Sequence, residues 1–143
     1  MSKYLIIGGG GTLGSEFKKI LSDEECVAVN RNQLNISNPN QLSEYFQNQK
    51  PEIVINCAAY TDVDGAESDI SQALETNSKA LLPLSIACNS INAKLVHFST
   101  GMVFEGDNPE GYNEDSIPKP VNKYGESKLC GEQIILNNCN NFY

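Results

Sequence analysis

Four short apolar runs, Leu5 to Ile7, Cys26 to Val29, Ile53 to Cys57 and Lys94 to Ser99, divide a chain whose intervening stretches repeat their apolar residues at helical spacing. The first run stops abruptly at glycine, as a strand buried on both faces and ended by a tight turn does. Leu13, Phe17, Ile20 and Leu21 then share one face, with Glu16, Lys18 and Lys19 mostly elsewhere, and predict a crossover helix. Ser37-Asn38-Pro39 ahead of Leu42, Tyr45 and Phe46 reads as a capped helix with proline in its first turn, and Pro51 separates it from the third run. Helical spacing returns from about Asp69 to Ile91, where Pro83 is expected to kink or restart the helix. A loop rich in Gly, Asn, Asp and Pro runs from Glu105 to Val121, and Asn122 to about Leu136 reads as the last helix.

Strand alternating with helix four times predicts an α/β fold, a doubly wound parallel sheet of Rossmann-like type with helices on both faces and strand order 3-2-1-4. Ligands of such sheets lie at the carboxyl ends of the strands, which here carry Gly8 to Gly14, Asn30-Arg31, Ala58-Ala59-Tyr60 and Ser99-Thr100. Asn140-Asn141-Phe142-Tyr143 reads as the lead into a fifth strand, so residues 1–143 are expected to form a single domain truncated before that strand.

Composition narrows the partners. Ten basic against eighteen acidic residues in 143 give a net charge of -8, which disfavours nucleic acid and anionic membrane surfaces. No stretch is apolar for the ~20 residues of a membrane span, and the N-terminus runs directly into the first strand without a leader, so a soluble, unexported protein is expected. Five cysteines without a Cys-x-x-Cys pair suggest small core residues in a reducing cytoplasm, with no disulfide framework and no metal site. His97, the sole histidine, lies inside the fourth apolar run and is read as a packed or hydrogen-bonded structural residue. Asp62, Asp64, Glu67 and Asp69 are read as a solvated loop and helix start.

Chemistry concentrates in three places. Gly8, Gly11 and Gly14 lie three residues apart after a strand and before a helix, the arrangement that brings backbone N–H groups up to a pyrophosphate. Where an acidic residue would accept from the ribose 2′-hydroxyl of NAD, this chain has Asn30 and then its sole arginine, Arg31, suited to a 2′-phosphate; NADP is expected over NAD. Tyr124 and Lys128 stand one helical turn apart, so that the ammonium favours phenolate and lets the tyrosine exchange a proton while hydride moves, with Thr100 positioned to bond the same substrate oxygen.

Together with Asn56-Cys57-Ala58-Ala59-Tyr60-Thr61-Asp62-Val63-Asp64-Gly65-Ala66-Glu67, Ser99-Thr100-Gly101-Met102-Val103-Phe104 and Asn122-Lys123-Tyr124-Gly125-Glu126-Ser127-Lys128-Leu129-Cys130-Gly131-Glu132, these residues make the chain resemble the dTDP-4-dehydrorhamnose reductase family of the extended short-chain dehydrogenase/reductases. The resemblance implies an NADP-dependent oxidoreductase acting on a nucleotide-sugar, in which Tyr124 is the proton donor, Lys128 holds the nicotinamide ribose and Thr100 orients the keto group. It also implies pyrophosphate contacts from Gly11, Thr12 and Leu13, cofactor contacts from Ala58, Ala59 and Tyr60, and a smaller sugar-gripping domain beyond this stretch. Gly101 and Met102 stand where the family usually has an acidic and an aromatic residue, and Asn35-Ile36 where it often has an aspartate on the adenine side. A non-catalytic NADP-binding regulatory subunit, an epimerase or a dehydratase of the same superfamily are the alternatives, and a homo-oligomer is left open.

Overall fold

The structure, a computed structural model, describes residues 3–21 and 25–143. Its strands are β1 (Tyr4–Ile7), β2 (Cys26–Val29), β3 (Ile53–Asn56) and β4 (Lys94–His97). Its helices are α1 (Thr12–Ile20), α2 (Pro39–Gln49), α3 (Val63–Ser68), α4 (Ile70–Leu74), α5 (Leu81–Ser90) and α6 (Lys123–Asn138), with a π-helical turn at Glu75–Lys79 and a 3-10 turn at Gly101–Val103. All strand pairs are parallel, and Tyr4 sits opposite both Cys26 and Ile53 while Ile53 sits opposite Lys94.

The sheet is doubly wound and Rossmann-like, but the expected strand order 3-2-1-4 is corrected to β2-β1-β3-β4. The burial of the strands explains the difference. In β3, Val54, Ile55 and Asn56 are all buried, which requires a neighbour on each side, whereas in β2 only Val29 is buried, as befits an edge. The chain therefore returns from β2 across β1, and the direction of winding switches between β1 and β3 rather than after the third strand.

Side-chain alternation divides the strands between two faces. Leu5, Ile7, Val54 and Leu95 join Leu42, Phe46, Leu81, Leu84 and Ile135 in the main core, under α2, α5 and α6. Ile6 and Ile55 take the alternate positions and face the side of α1. The apolar stripe expected to bury α1 does so only in part: Gly14 is buried and Phe17 packs against Phe98 at 5.9 Å between ring centroids, while Leu13 is 40% and Ile20 79% exposed.

Local signals account for most helix ends. Asn38 accepts from the backbone N–H groups of Asn40 and Gln41 at the head of α2, with Pro39 first in the helix. The long helical stretch from Asp69 is broken up. Asp69 caps α4, a π turn follows, and α5 restarts at Leu81, so that Pro83 falls in a first turn where no intrahelical donor is lost. The tail pairs with the edge of β4: Phe142 bridges Leu95 in parallel, Leu95 N donates to Asn141 O (2.9 Å), and His97 N donates to Tyr143 O (2.9 Å). Among the described residues no helix is long and apolar enough to cross a membrane.

Candidate active site

β1 delivers the chain into the glycine turn at the centre of the sheet. Gly8 has φ +81°, and a Cβ there would lie 2.8 Å from Ala58 N, so both backbone conformation and the neighbouring strand end demand glycine. Gly14 is buried directly beneath, against Gly8 O. Gly11 caps α1 without any side-chain acceptor, which leaves the first-turn amides to an anionic ligand. Gly11, Thr12 and Leu13 form one wall of a cleft of about 410 Å³ whose other wall includes Asn56, Ala58, Ser99, Tyr124 and Lys128. A second hollow of about 290 Å³ shares Gly11, Ala58 and Ala59 with it and adds Gly8, Arg31, Tyr60 and Thr76. A third, about 90 Å³ and walled by Leu34, Asn35 and Ile36, also touches Gly8, Arg31 and Ala58. The three make one trough along the carboxyl ends of β1 and β3.

α6 carries Tyr124 and Lys128 into this trough. Its head is fixed by Asn122, which accepts from Gly125 N at 2.7 Å. Ser127 Oγ donates to Tyr124 O (2.7 Å) and accepts from Asn77 Nδ2 (3.0 Å). Asn77, from the π turn, also clasps both backbone groups of Tyr60, accepting from its N–H at 2.8 Å and donating to its carbonyl at 3.0 Å. One buried amide thus ties the β3 end to α6, and a π turn at such a place is where functional sites commonly need an extra residue.

Lys128 is 2% exposed, and its Nζ donates to Phe98 O at 2.5 Å. Burial lowers its pKa from 10.5 to about 8, against an opposing pull from Glu132. His97 faces it, with Nε2 3.4 Å from Nζ and Nδ1 3.1 Å from Asn56 Nδ2. Burial first, and then the Lys128 charge, push the imidazole pKa down to about 3, so it is neutral. Cys57, on the same cleft, is pushed up to about 11 by burial and stays a thiol.

Most of the residues expected from sequence converge here: Gly8, Gly11, Thr12, Leu13, Arg31, Ala58, Ala59, Tyr60, Tyr124 and Lys128 line the trough, and Gly14 supports it. Two do not. Asn30 lines none of the three hollows; its Oδ1 accepts from Asn32 N (3.0 Å) and Gln33 N (3.2 Å) and shapes the loop that presents Arg31. Thr100 is not on the cleft wall, where Ser99 stands instead; its Oγ1 accepts from Met102 N at 3.2 Å and caps the 3-10 turn. Asn56, Asn77 and Thr76 escaped the sequence reading. Asn56 had a signal, a polar residue inside a buried strand, which must be satisfied by partners; Asn77 and Thr76 had none.

A doubly wound parallel sheet with a glycine turn at its switch point puts the chain in the class of Rossmann-like α/β proteins. Residues 2–143 match the family model described as the RmlD substrate binding domain, and the chain belongs to that family. It is 37% identical over 139 residues to the dTDP-4-dehydrorhamnose reductase of Aggregatibacter actinomycetemcomitans, a match covering 95% of this chain and 47% of that protein. The dTDP-4-dehydrorhamnose reductase of Bacillus anthracis, solved in complex with NADP, superposes with a TM-score of 0.94 at 39% identity, over 99% of this chain and 52% of that one. A dTDP-4-dehydrorhamnose reductase from Clostridium acetobutylicum does so at 0.93 and 34% identity, over 98% and 51%. The chain therefore spans about half the length of the relatives it matches.

Proposed function

We propose that residues 1–143 are the cofactor-binding domain of an NADP(H)-preferring reductase that reduces the keto group of a nucleotide-sugar in the cytoplasm, with dTDP-4-dehydro-L-rhamnose as substrate and the sugar-gripping part outside this chain. The observation that carries this reading is the single cleft in which the glycine turn and α1 amides meet Tyr124 and Lys128. The residues fit the dinucleotide: Thr12 and Leu13 offer backbone donors to the pyrophosphate beside Gly11, whose own N–H donates to Gly8 O (3.0 Å), Arg31 offers its guanidinium to the 2′-phosphate, and the Leu34–Ile36 wall offers a slot for the adenine side. The NADP-bound relative from Bacillus anthracis supports the same cofactor.

NADPH held in this cleft would supply the hydride for the carbonyl carbon. Tyr124 gives its phenolic proton to the carbonyl oxygen, and Lys128 holds the ribose and, when charged, favours the phenolate left behind. Thr100 stands beside the cleft wall rather than on it; its Oγ1 accepts from Met102 N, which leaves the hydroxyl hydrogen for the keto group in the role that the family resemblance implies. Titration of NADPH and NADH by calorimetry checks the cofactor: NADPH should bind more tightly, and Arg31→Ala should narrow the gap, whereas equal affinities would overturn the preference. In the protein at full coding length, Tyr124→Phe should lower NADPH oxidation ~100- to 10,000-fold with cofactor affinity unchanged, and Lys128→Met should weaken both binding and rate. A full-length protein that binds NADPH and leaves nucleotide-sugars untouched would point instead to a regulatory subunit, the reading that Gly101, in place of the usual acid, favours.

A further inference from the structure

A chain of polar contacts runs from the β3 backbone to Lys128, and one end of it has no freedom. Ala58 N–H can only donate, and its acceptor is Asn56 Oδ1 at 3.1 Å. That fixes the orientation of the amide, so Asn56 Nδ2 must be the group turned toward His97 Nδ1, 3.1 Å away. Nδ1 is then an acceptor, and a neutral imidazole that accepts at Nδ1 carries its hydrogen on Nε2. Nε2 faces Lys128 Nζ at 3.4 Å. An ammonium has three donors and no lone pair, so it would set donor against donor there; an amine accepts from Nε2–H and still donates to Phe98 O. The reverse arrangement, with lysine donating to Nε2, would require flipping Asn56 and leaving Ala58 N–H facing a donor. Asn56 is 1% exposed, so no bulk water relieves that loss.

We infer that His97 is a positioning residue for Lys128: locked by Asn56 as the Nε2–H tautomer, it holds the lysine nitrogen at the cleft through its lone pair and so favours the uncharged amine. This rests on the reading of Lys128 as the residue acting on Tyr124 and the ribose. The other titratable groups facing Lys128 are Glu132 and Tyr124 on its own helix and Cys57 across the cleft, and among the described residues the carboxylate of Glu132 alone opposes His97 by favouring the charged form. Burial alone brings Lys128 down to about 8, and the contact with His97 pulls in the same direction, toward the amine.

Two measurements test this without recourse to activity. Because His97 is the sole histidine, long-range proton–nitrogen correlation spectra of the isotope-labelled chain near pH 7.5 read its tautomer directly. A proton on Nε2 and a bare Nδ1 are expected; a proton on Nδ1, or on both, overturns the inference with no substitution needed. The second follows the Lys128 side-chain carbon and nitrogen signals through pH, assigned with Lys128→Met, in the unmutated chain and in Asn56→Asp. Aspartate places an acceptor where Nδ2 was, so the His97 proton should move to Nδ1 and the Lys128 midpoint should rise by about one unit. A proton that moves while the midpoint stays would sink the coupling. Neither spectrum depends on NADPH, so a chain that shows both results and fails to bind NADPH would overturn the reductase reading alone.

Discussion

His97 and Lys128 face each other from β4 and α6, and both bind protons less readily in the folded chain than out of it. The unfolded chain takes up a proton at His97 below pH 6.5, while the folded chain resists it down to about 3. Stability from this site is therefore complete above pH 6.5 and is lost as pH falls from there toward 3, by at most about 1.4 kcal/mol per unit. Lys128 acts in the same sense at the other end, since only the unfolded chain is protonated there between about 8 and 10.5, and stability rises with pH across that window. Urea unfolding of the unmutated chain and His97→Gln at about pH 4.5 and 7.5 should show a smaller acid loss in the variant. An equal loss in both would mean that the acid sensitivity lies in the carboxylates.

At the scale of elements, α6 is held against the cleft by its packing on the π turn. Gly131 of α6 lies so close to Glu75–Lys79 that a Cβ would strike Asn77 O and the Leu81 side chain. Gly131→Ala should therefore push α6 away from the clasp that Asn77 makes with Tyr60, destabilising the chain by about 1–3 kcal/mol and weakening NADPH binding as Tyr124 and Lys128 shift. Gly10, by contrast, has nothing within 4 Å of its would-be Cβ, and Gly10→Ala should leave stability nearly unchanged. Thermal melts of the two variants beside the unmutated chain decide this; similar melting of all three would show that the π turn yields to the extra methyl.

For the whole molecule, the sheet has two edges and the chain guards one of them with its own tail. Tyr143 N donates to Leu95 O at 2.8 Å, and its carbonyl accepts from His97 N at 2.9 Å. Tyr143→Pro removes that donor, and should cost about 1 kcal/mol and expose β4 to pairing with other copies. Light scattering and urea unfolding check it, with unchanged mass and stability meaning that the tail contributes nothing to either.

The local patterns in this sequence carried as far as local physics reaches. Short apolar runs marked the strands, the first of them ended by glycine, Asn38-Pro39 marked the head of α2, and Gly8 to Gly14 marked the turn, because each depends on dihedrals and hydrogen bonds within a few residues. Tyr124 and Lys128 were legible for the same reason, one helical turn apart. Strand order was not, since a right-handed crossover from β2 lands as readily on either side of β1, and what decided it was that β3 buries Val54 to Asn56 and needs two neighbours. Ser99 rather than Thr100 on the cleft wall, and Asn30 turned into its own loop, were settled by where the chain bends after leaving the sheet. His97 was read as a packed or hydrogen-bonded residue, and it is hydrogen-bonded. Its partners lie 41 and 31 residues away, so only the pairing of β3 with β4 and the docking of α6 across them could set its tautomer and turn it toward Lys128.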